Sequence, residues 1–587
     1  MKRSPLRGRA LIAGEIVVLL GLFAVLWLGF RGSIARAELD AAEPLASTAQ
    51  KALLDGDAPL ARASLRDLVR HTSTALSMTS DPIYRLAETL PWAGPNFTAS
   101  GQAVVSVDRM AKGLAPLTSI AGTLSLRSLA PVNGTVDLEN LITTTPALTA
   151  AEGAIDSARR SIRAIDTSGT LPAVAAAITR LQGITDDAAS QIAAISHTAQ
   201  LLPKMLGADG PRNYLIIFQN NAEVRASGGL PGALAVLHTD QGHFEMTTQT
   251  SARSFPYFDR PVLPLDYATE SLYGSNVARR MQNVTLTPDF PTSARFATEM
   301  WRRQYGVALD GVIAVDPVVL SYILKATGTV KLDTGDTLSS KTAIKFLLSG
   351  VYTKYPDNEQ QDEVFADAAR KIFAALSSNS VDPSELLTQV TRGAGERRIL
   401  LWNSREPEQR LISNSDFAGE LPSTNIGATV IGVFLNDATG AKLGYYLDAT
   451  SSLKVKTCRG ESSPIYRTTV TLSSSAPADA ATSLAPAIIG PGKYGVPLGT
   501  IRTRVTVYGP VGSVVGAVTQ EGTQVASQPQ IHMNRPVAQI IIDLAPGQSQ
   551  TTTVDMIGAI NPSPDAILRM TPMLRKKDAV SVAPHCN

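Results

Sequence analysis

Between Asn213 and Leu237 the chain reads NYLIIFQNNAEVRASGGLPGALAVL, two apolar runs on either side of a polar, glycine-rich centre. Tyr214 to Phe218 has the content of a buried strand, Gln219, Asn220 and Asn221 interrupt it, and Ala233 to Leu237 resumes it after Gly228, Gly229 and Gly232. This pattern commits the segment to strand, turn and strand. Glu223 and Arg225 fall between the two runs. A charged pair on a glycine-rich loop at a strand end can grip a ligand, which makes Asn220, Asn221, Glu223 and Arg225 candidate binding residues. A structural loop explains them equally, because Asn caps backbone groups in turns and Gly accepts positive φ.

At 587 residues the chain is too long for one core and predicts several domains. Near its start, Ala10 to Phe30 is apolar except for Glu15, and as a helix it would span roughly 31 Å, about one hydrocarbon core. Lys2, Arg3, Arg7 and Arg9 precede it. The expectation is a single-pass transmembrane helix at residues 10–30, with residues 1–9 cytoplasmic and the bulk of the chain extracytoplasmic. A cleaved signal peptide is the alternative, since Ala35-Arg36-Ala37 offers small residues at the spacing that a peptidase accepts. In either case export permits a disulfide between the two cysteines, Cys458 and Cys586, with two buried thiols as the other possibility.

Residues 31–206 are rich in Ala, Leu, Ser and Thr, with apolar residues recurring at three and four, and predict an α-helical region broken at Pro91 to Asn96. Residues 207–426 alternate strand and helix patterns, which predicts an α/β domain. Its clearest piece is Gly311 to Val315 as a strand, Asp316 as N-cap, Pro317 in the first turn of a helix, and Gly328 as its end. The irregular stretch from Ser254 to Asp289, with Arg260, Arg279 and Arg280, is long enough to be functional. Residues 427–587 carry short alternating runs such as YRTTVTLS and IRTRVTVYG and predict a C-terminal β-sandwich domain.

Several chemistries are excluded as expectations. The 53 Lys and Arg against 51 Asp and Glu leave a net charge of +2 without a basic track for nucleic acid. The six histidines are scattered, so no metal site is expected. No nucleophile elbow, phosphate loop or dinucleotide fingerprint is present, and neither a nucleotide nor another cofactor is implied. The acidic helix start around Glu359 to Glu363 suits the helix dipole without a ligand.

YLIIFQNNAEVRASGG, followed by GVIAVDPVVLSYILKATGTV and preceded by LPWAG, resembles the bacterial envelope family known as domain of unknown function 4012. That resemblance implies no reaction. The order of elements is also similar, more distantly, to the LytR-CpsA-Psr phosphotransferases, which move glycopolymers from polyprenyl-pyrophosphate carriers to the wall. Arg225-Ala226-Ser227, Gly328-Thr329-Val330 and Lys354 to Gln361 stand where that family has its Arg-Ser-Asp loop, Gly-Gly-Val turn and Arg-rich helix start. The loop Asp is missing here, and Lys354 replaces an expected Arg.

The expectation for function is a membrane-anchored cell-envelope protein that binds an anionic ligand, such as a polyprenyl-linked or wall glycopolymer, through Arg225, Arg260 and Lys354. A diverged phosphotransferase and a structural spacer are the competing readings. Arg225 gathered with Arg260 or Arg279 and Lys354 around one groove would favour binding or transfer. Arg225 consumed by Glu223 on a flat surface would favour the spacer.

Overall fold

The structure, a computed structural model, describes residues 5–121, 131–132, 134–378, 381–413, 415–456, 463–558 and 566–583. Its contacts divide the chain into two compact units, Met1–Ala130 with Val136–Met205, and Pro131–Thr135 with Leu206–Asn587.

The first unit is helical. It begins with α1 (Pro5–Asp55), α2 (Ala58–Met78), α3 (Pro82–Glu88) and α4 (Gly94–Gly113), and continues through Leu138–Arg163 and Pro172–Met205. Asp57, Asp81 and Asp137 cap three of these helices through their carboxylates, satisfying backbone N–H groups that have no partner within the helix. Small residues dominate its core, including Ala49, Ala52, Ala61, Ala151 and Ala189, and so let the helix backbones approach closely.

The second unit carries β1 (Arg212–Arg225), β2 (Gly228–Asp240), β3 (His243–Ser251) and β4 (Gly311–Val315), followed by the short pair β5 (Val330–Lys331) and β6 (Thr337–Leu338), then β7 (Ile399–Asn403). The first sheet runs β3-β2-β1-β4-β7, and only β1 and β4 are parallel. Helix Pro317–Thr327 follows β4 as read from the sequence. Asp316 accepts from the Val319 N–H at 2.9 Å and Gly328 closes the helix at φ 84°.

Eleven further strands complete the unit: β8 (Thr429–Asp437), β9 (Leu447–Lys456), β10 (Ile465–Ser474), β11 (Ile501–Tyr508), β12 (Val514–Gln520), β13 (Thr523–Gln524), β14 (Gln528–His532), β15 (Arg535–Leu544), β16 (Ser549–Ile557), β17 (Ala566–Met570) and β18 (Arg575–Ala583). They form one sheet in the order β13-β12-β16-β10-β9-β18 and another in the order β14-β15-β11-β8-β17. Both are mixed, because β18 runs parallel to β9 and β17 parallel to β8. Along β10, Tyr466, Thr468, Val470 and Leu472 point inward, while Thr469 and Thr471 hydrogen-bond Thr553 and Thr551 on the other face.

This architecture corrects the expected one in three respects. First, among the described residues no helix is long and apolar enough to cross a membrane, so the transmembrane helix at Ala10–Phe30 and the single-pass membrane location are not supported. The physical reason lies in α1. The helix continues well past Phe30, and at the end of the apolar run the Trp27 indole donates to Asp81 while Arg31 pairs with Asp81 at 2.7 Å. The run therefore ends in polar contacts at the start of α3, where Asp81 is the N-cap. Second, the expected disulfide is absent among the described residues, outside which Cys458 and Cys586 both lie. Third, the α/β sheet and the C-terminal sheets do not keep separate cores. Phe434, Tyr508 and Val537 pack into the core of the first sheet, and Val224 and Tyr352 into the core of the later strands. The strand alternation that suggests independent layers carries no information about such exchange.

Candidate functional site

The glycine-rich segment folds differently from the loop expected of it. β1 does not stop at Gln219 but runs on to Arg225, and the register with β2 shifts between Asn220 and Val224. That bulge turns Asn221 inward and re-aims its neighbours. Gly229 is required by the close approach: a Cβ there would lie 2.4 Å from the Asn220 carbonyl carbon.

A cavity of about 690 Å³ opens beside this bulge within the second unit. Its apolar wall includes Phe218, Leu320, Leu347 and Phe365, and a π-helical turn at Phe346–Gly350 presents Leu347 and, just beyond it, Tyr352. The Asn220 amide donates to the Tyr352 hydroxyl, whose ionisation burial pushes upward.

A buried charge network lines the same cavity. Arg225 donates to Glu223 at 2.7 Å and stands 3.9 Å from the Asp437 carboxylate. Lys442 lies 3.9 Å from Glu223 and 5.0 Å from the centre of the Tyr352 ring. The Arg225, Glu223 and Asp437 side chains are only 7%, 8% and 7% exposed. Burial, reinforced by the nearby Glu223 charge, pushes the Asp437 carboxyl up to about 6, against the opposing pull of Arg225. Burial likewise lowers the Lys442 ammonium, with Glu223 opposing. Asp437 also accepts from the Thr439 hydroxyl and from the Gly440 N–H at 2.7 Å, so it is held from three sides.

Nearer the opening, Arg253 pairs with Asp362 at 3.8 Å. Arg280 is exposed and stacks over Tyr257 at 4.4 Å, and Arg504 on β11 is half-buried. Among the described residues neither Arg280 nor Arg504 has a carboxylate partner. Burial holds the Arg504 guanidinium below its usual range, with Tyr273 the group that opposes.

Of the residues expected from the sequence, Asn220, Glu223 and Arg225 line this cavity. Asn221 does not line it. Its amide is buried and donates to Asp316 at 3.0 Å, a structural tie between the bulge and the helix cap. Arg260 is exposed and away from the lining. Lys354 is also outside it, paired with Asp336 at 2.6 Å. Arg225 is thus held by Glu223, but in the wall of a cavity and not on a flat surface. The residues that sequence reading missed are Asp437 and Arg504, on β8 and β11, and Lys442, in the connection between β8 and β9, and no local motif marks them. Arg280 carried a signal in its long irregular segment. Among the described residues no cluster of three or more His, Cys, Asp or Glu side chains could hold a metal.

Fold and cavity together define a mixed-sheet protein with an internal pocket whose lining carries both charge and apolar surface. Residues 209–352 match a family model described as Protein of unknown function (DUF4012), which supports that family likeness for the segment containing β1, β2, β4 and the bulge. No curated protein matches the chain. Among solved structures, two crystal structures of a two-domain M1 zinc metallopeptidase mutant, bound to L-tryptophan and to L-arginine, share 16% and 17% identity over 20% and 22% of this chain. They match over 22% and 23% of their own length with a TM-score of 0.12 in each case, so this chain spans less than a quarter of them and the likeness carries no argument.

Proposed function

We propose that the second unit is a binding module for an anionic organic ligand, taken up in the cavity beside the β1 bulge. The observation that carries this reading is the pair Arg280 and Arg504, which line the cavity without a carboxylate partner among the described residues. A guanidinium that has lost part of its hydration gains most from an anion brought to it, because burial weakens the competing water. The volume lies within the range of roughly 300–1,000 Å³ common for small-molecule sites, and the apolar wall would shelter the rest of the ligand. Lipid-linked phosphates and fragments of acidic envelope glycopolymers belong to this class. The transfer reading gains less, since Lys354 is engaged by Asp336 outside the lining.

Thermal unfolding with a panel of organic acids and phosphate esters tests the proposal. A ligand at a hundred times its Kd should stabilise the protein by about 2.7 kcal/mol. The Arg280→Gln/Arg504→Gln double variant should show no such shift. An equal response in wild type and variant, or no response to any anion, would remove the proposal.

A further inference from the structure

The charge balance of the cavity specifies its ligand further, and this step rests on the anion-binding reading above. Each carboxylate in the lining already has a cation. Glu223 and Asp437 share Arg225 and Lys442. Asp316 is taken by Arg398 at 2.6 Å and Asp362 by Arg253. Arg398 also pairs with Glu396, which Arg392 in turn balances, so none of these pairs leaves a spare negative charge for Arg280 or Arg504. The uncompensated charge at the cavity is therefore that of two guanidinium groups, one exposed at the opening and one half-buried on β11. Phe218, Leu320, Leu347 and Phe365, from β1, the helix Pro317–Thr327, the π-helical turn and the helix Asn358–Leu376, give the same cavity an apolar surface.

We infer that the ligand is a dianion carried on an apolar body, with Arg280 and Arg504 each matching one negative charge. A phosphomonoester supplies both charges on one group, and an aliphatic dicarboxylate supplies them on two. A monoanion would leave one of the two guanidinium charges unmatched, and a third negative charge would meet Glu223 and Asp437 with no further cation to balance it.

Calorimetric titration of the full chain at pH 8 with octyl phosphate, octyl sulfate and suberate tests this. At that pH the phosphate, whose second ionisation lies near pH ~6, carries close to two charges, whereas the sulfate of similar shape carries one. At least one dianion should bind about tenfold tighter than octyl sulfate, a discrimination expected of one additional charge-assisted contact. In Arg280→Gln and in Arg504→Gln that preference should shrink to within about threefold, the remainder being ordinary screened attraction. Arg280 is exposed, so Arg280→Gln keeps the test usable even if Arg504→Gln perturbs β11. A preference for octyl phosphate assigns both charges to one group, and a preference for suberate assigns them to two. Equal binding of octyl sulfate and the dianions, or a preference that survives both substitutions, overturns the dianion inference and leaves anion binding standing. Failure of all three probes to bind overturns the anion-binding reading as well.

Discussion

At the scale of single residues, the site is governed by what burial does to charge. Asp437 lies beside Glu223 in a wall that water scarcely reaches, and its carboxyl rises from 3.8 to about 6. In the unfolded chain the same carboxyl ionises near its ordinary value. Between these two values the folded protein holds a proton that the unfolded chain has released, so stability falls as pH rises through that window. Asp437→Asn should remove this loss. Urea unfolding at pH 4.5, 5.5, 6.5 and 7.5 should show the wild type losing on the order of 2 kcal/mol relative to the variant across the series. Parallel pH profiles would mean that Arg225 compensates the carboxylate fully. The residue scale is also where the sequence was least legible. Arg225 and Glu223 were visible as a pair because they are two positions apart. Asp437 and Lys442 meet them from more than two hundred residues away, and a lone Asp in a turn-like NDATG segment has nothing local to distinguish it.

At the scale of elements, short-range signals translated well and irregularities did not. The strand at β4, the Asp316 cap, the first-turn Pro317 and the closing Gly328 are each specified within a few residues of where they act. The bulge in β1 is a departure in pairing with β2, so the amides that read as a strand breaker are in fact a strand continuing with its register moved. Elements are also pinned by side chains that no periodicity reveals. Arg535, at the start of β15, is fully buried and donates to the carbonyls of Pro422 at 2.8 Å, Val430 at 2.9 Å and Gly509 at 3.0 Å. Burial, together with the nearby Arg569, pulls its pKa down to about 10. This one guanidinium joins the segment before β8, β8 itself and the end of β11. Arg535→Met keeps the volume but leaves these carbonyls without their donor, and should cost about 3 kcal/mol or more in urea unfolding. Arg535→Lys should recover part of that loss, because an ammonium can still donate. A cost below about 0.5 kcal/mol for Arg535→Met, the scale of an ordinary surface substitution, would show that the strands hold themselves in place.

At the scale of the whole molecule, the composition shift near Gly427 marks a change of secondary structure within one compact unit. β8 threads the two parts together: the Asn436 amide oxygen accepts from the Ala226 N–H at 3.0 Å, and its nitrogen donates to Leu286 at 3.1 Å. Thr571 adds a second tie, accepting from Leu435 at 2.9 Å and donating to Ala226 at 3.1 Å. Phe434, Tyr508 and Val537 are each no more than 1% exposed within the core of the first sheet. A chain cut after residue 426 would lose these side chains, expose the apolar surface they cover and strip Ala226 in the β1–β2 turn of its Asn436 and Thr571 partners. Burying a large apolar side chain contributes roughly 1.5–3 kcal/mol, so three such losses rival the whole stability of a typical domain. A fragment of residues 206–426 should therefore lack a cooperative thermal transition by circular dichroism and be cleaved rapidly by protease, while 206–587 melts as one unit. The same cut removes Asp437, Lys442 and Arg504 from the cavity, so loss of folding and loss of anion binding should coincide. A 206–426 fragment that melts cooperatively would restore the α/β layer as an independent domain and make the shared core a docking surface between two of them.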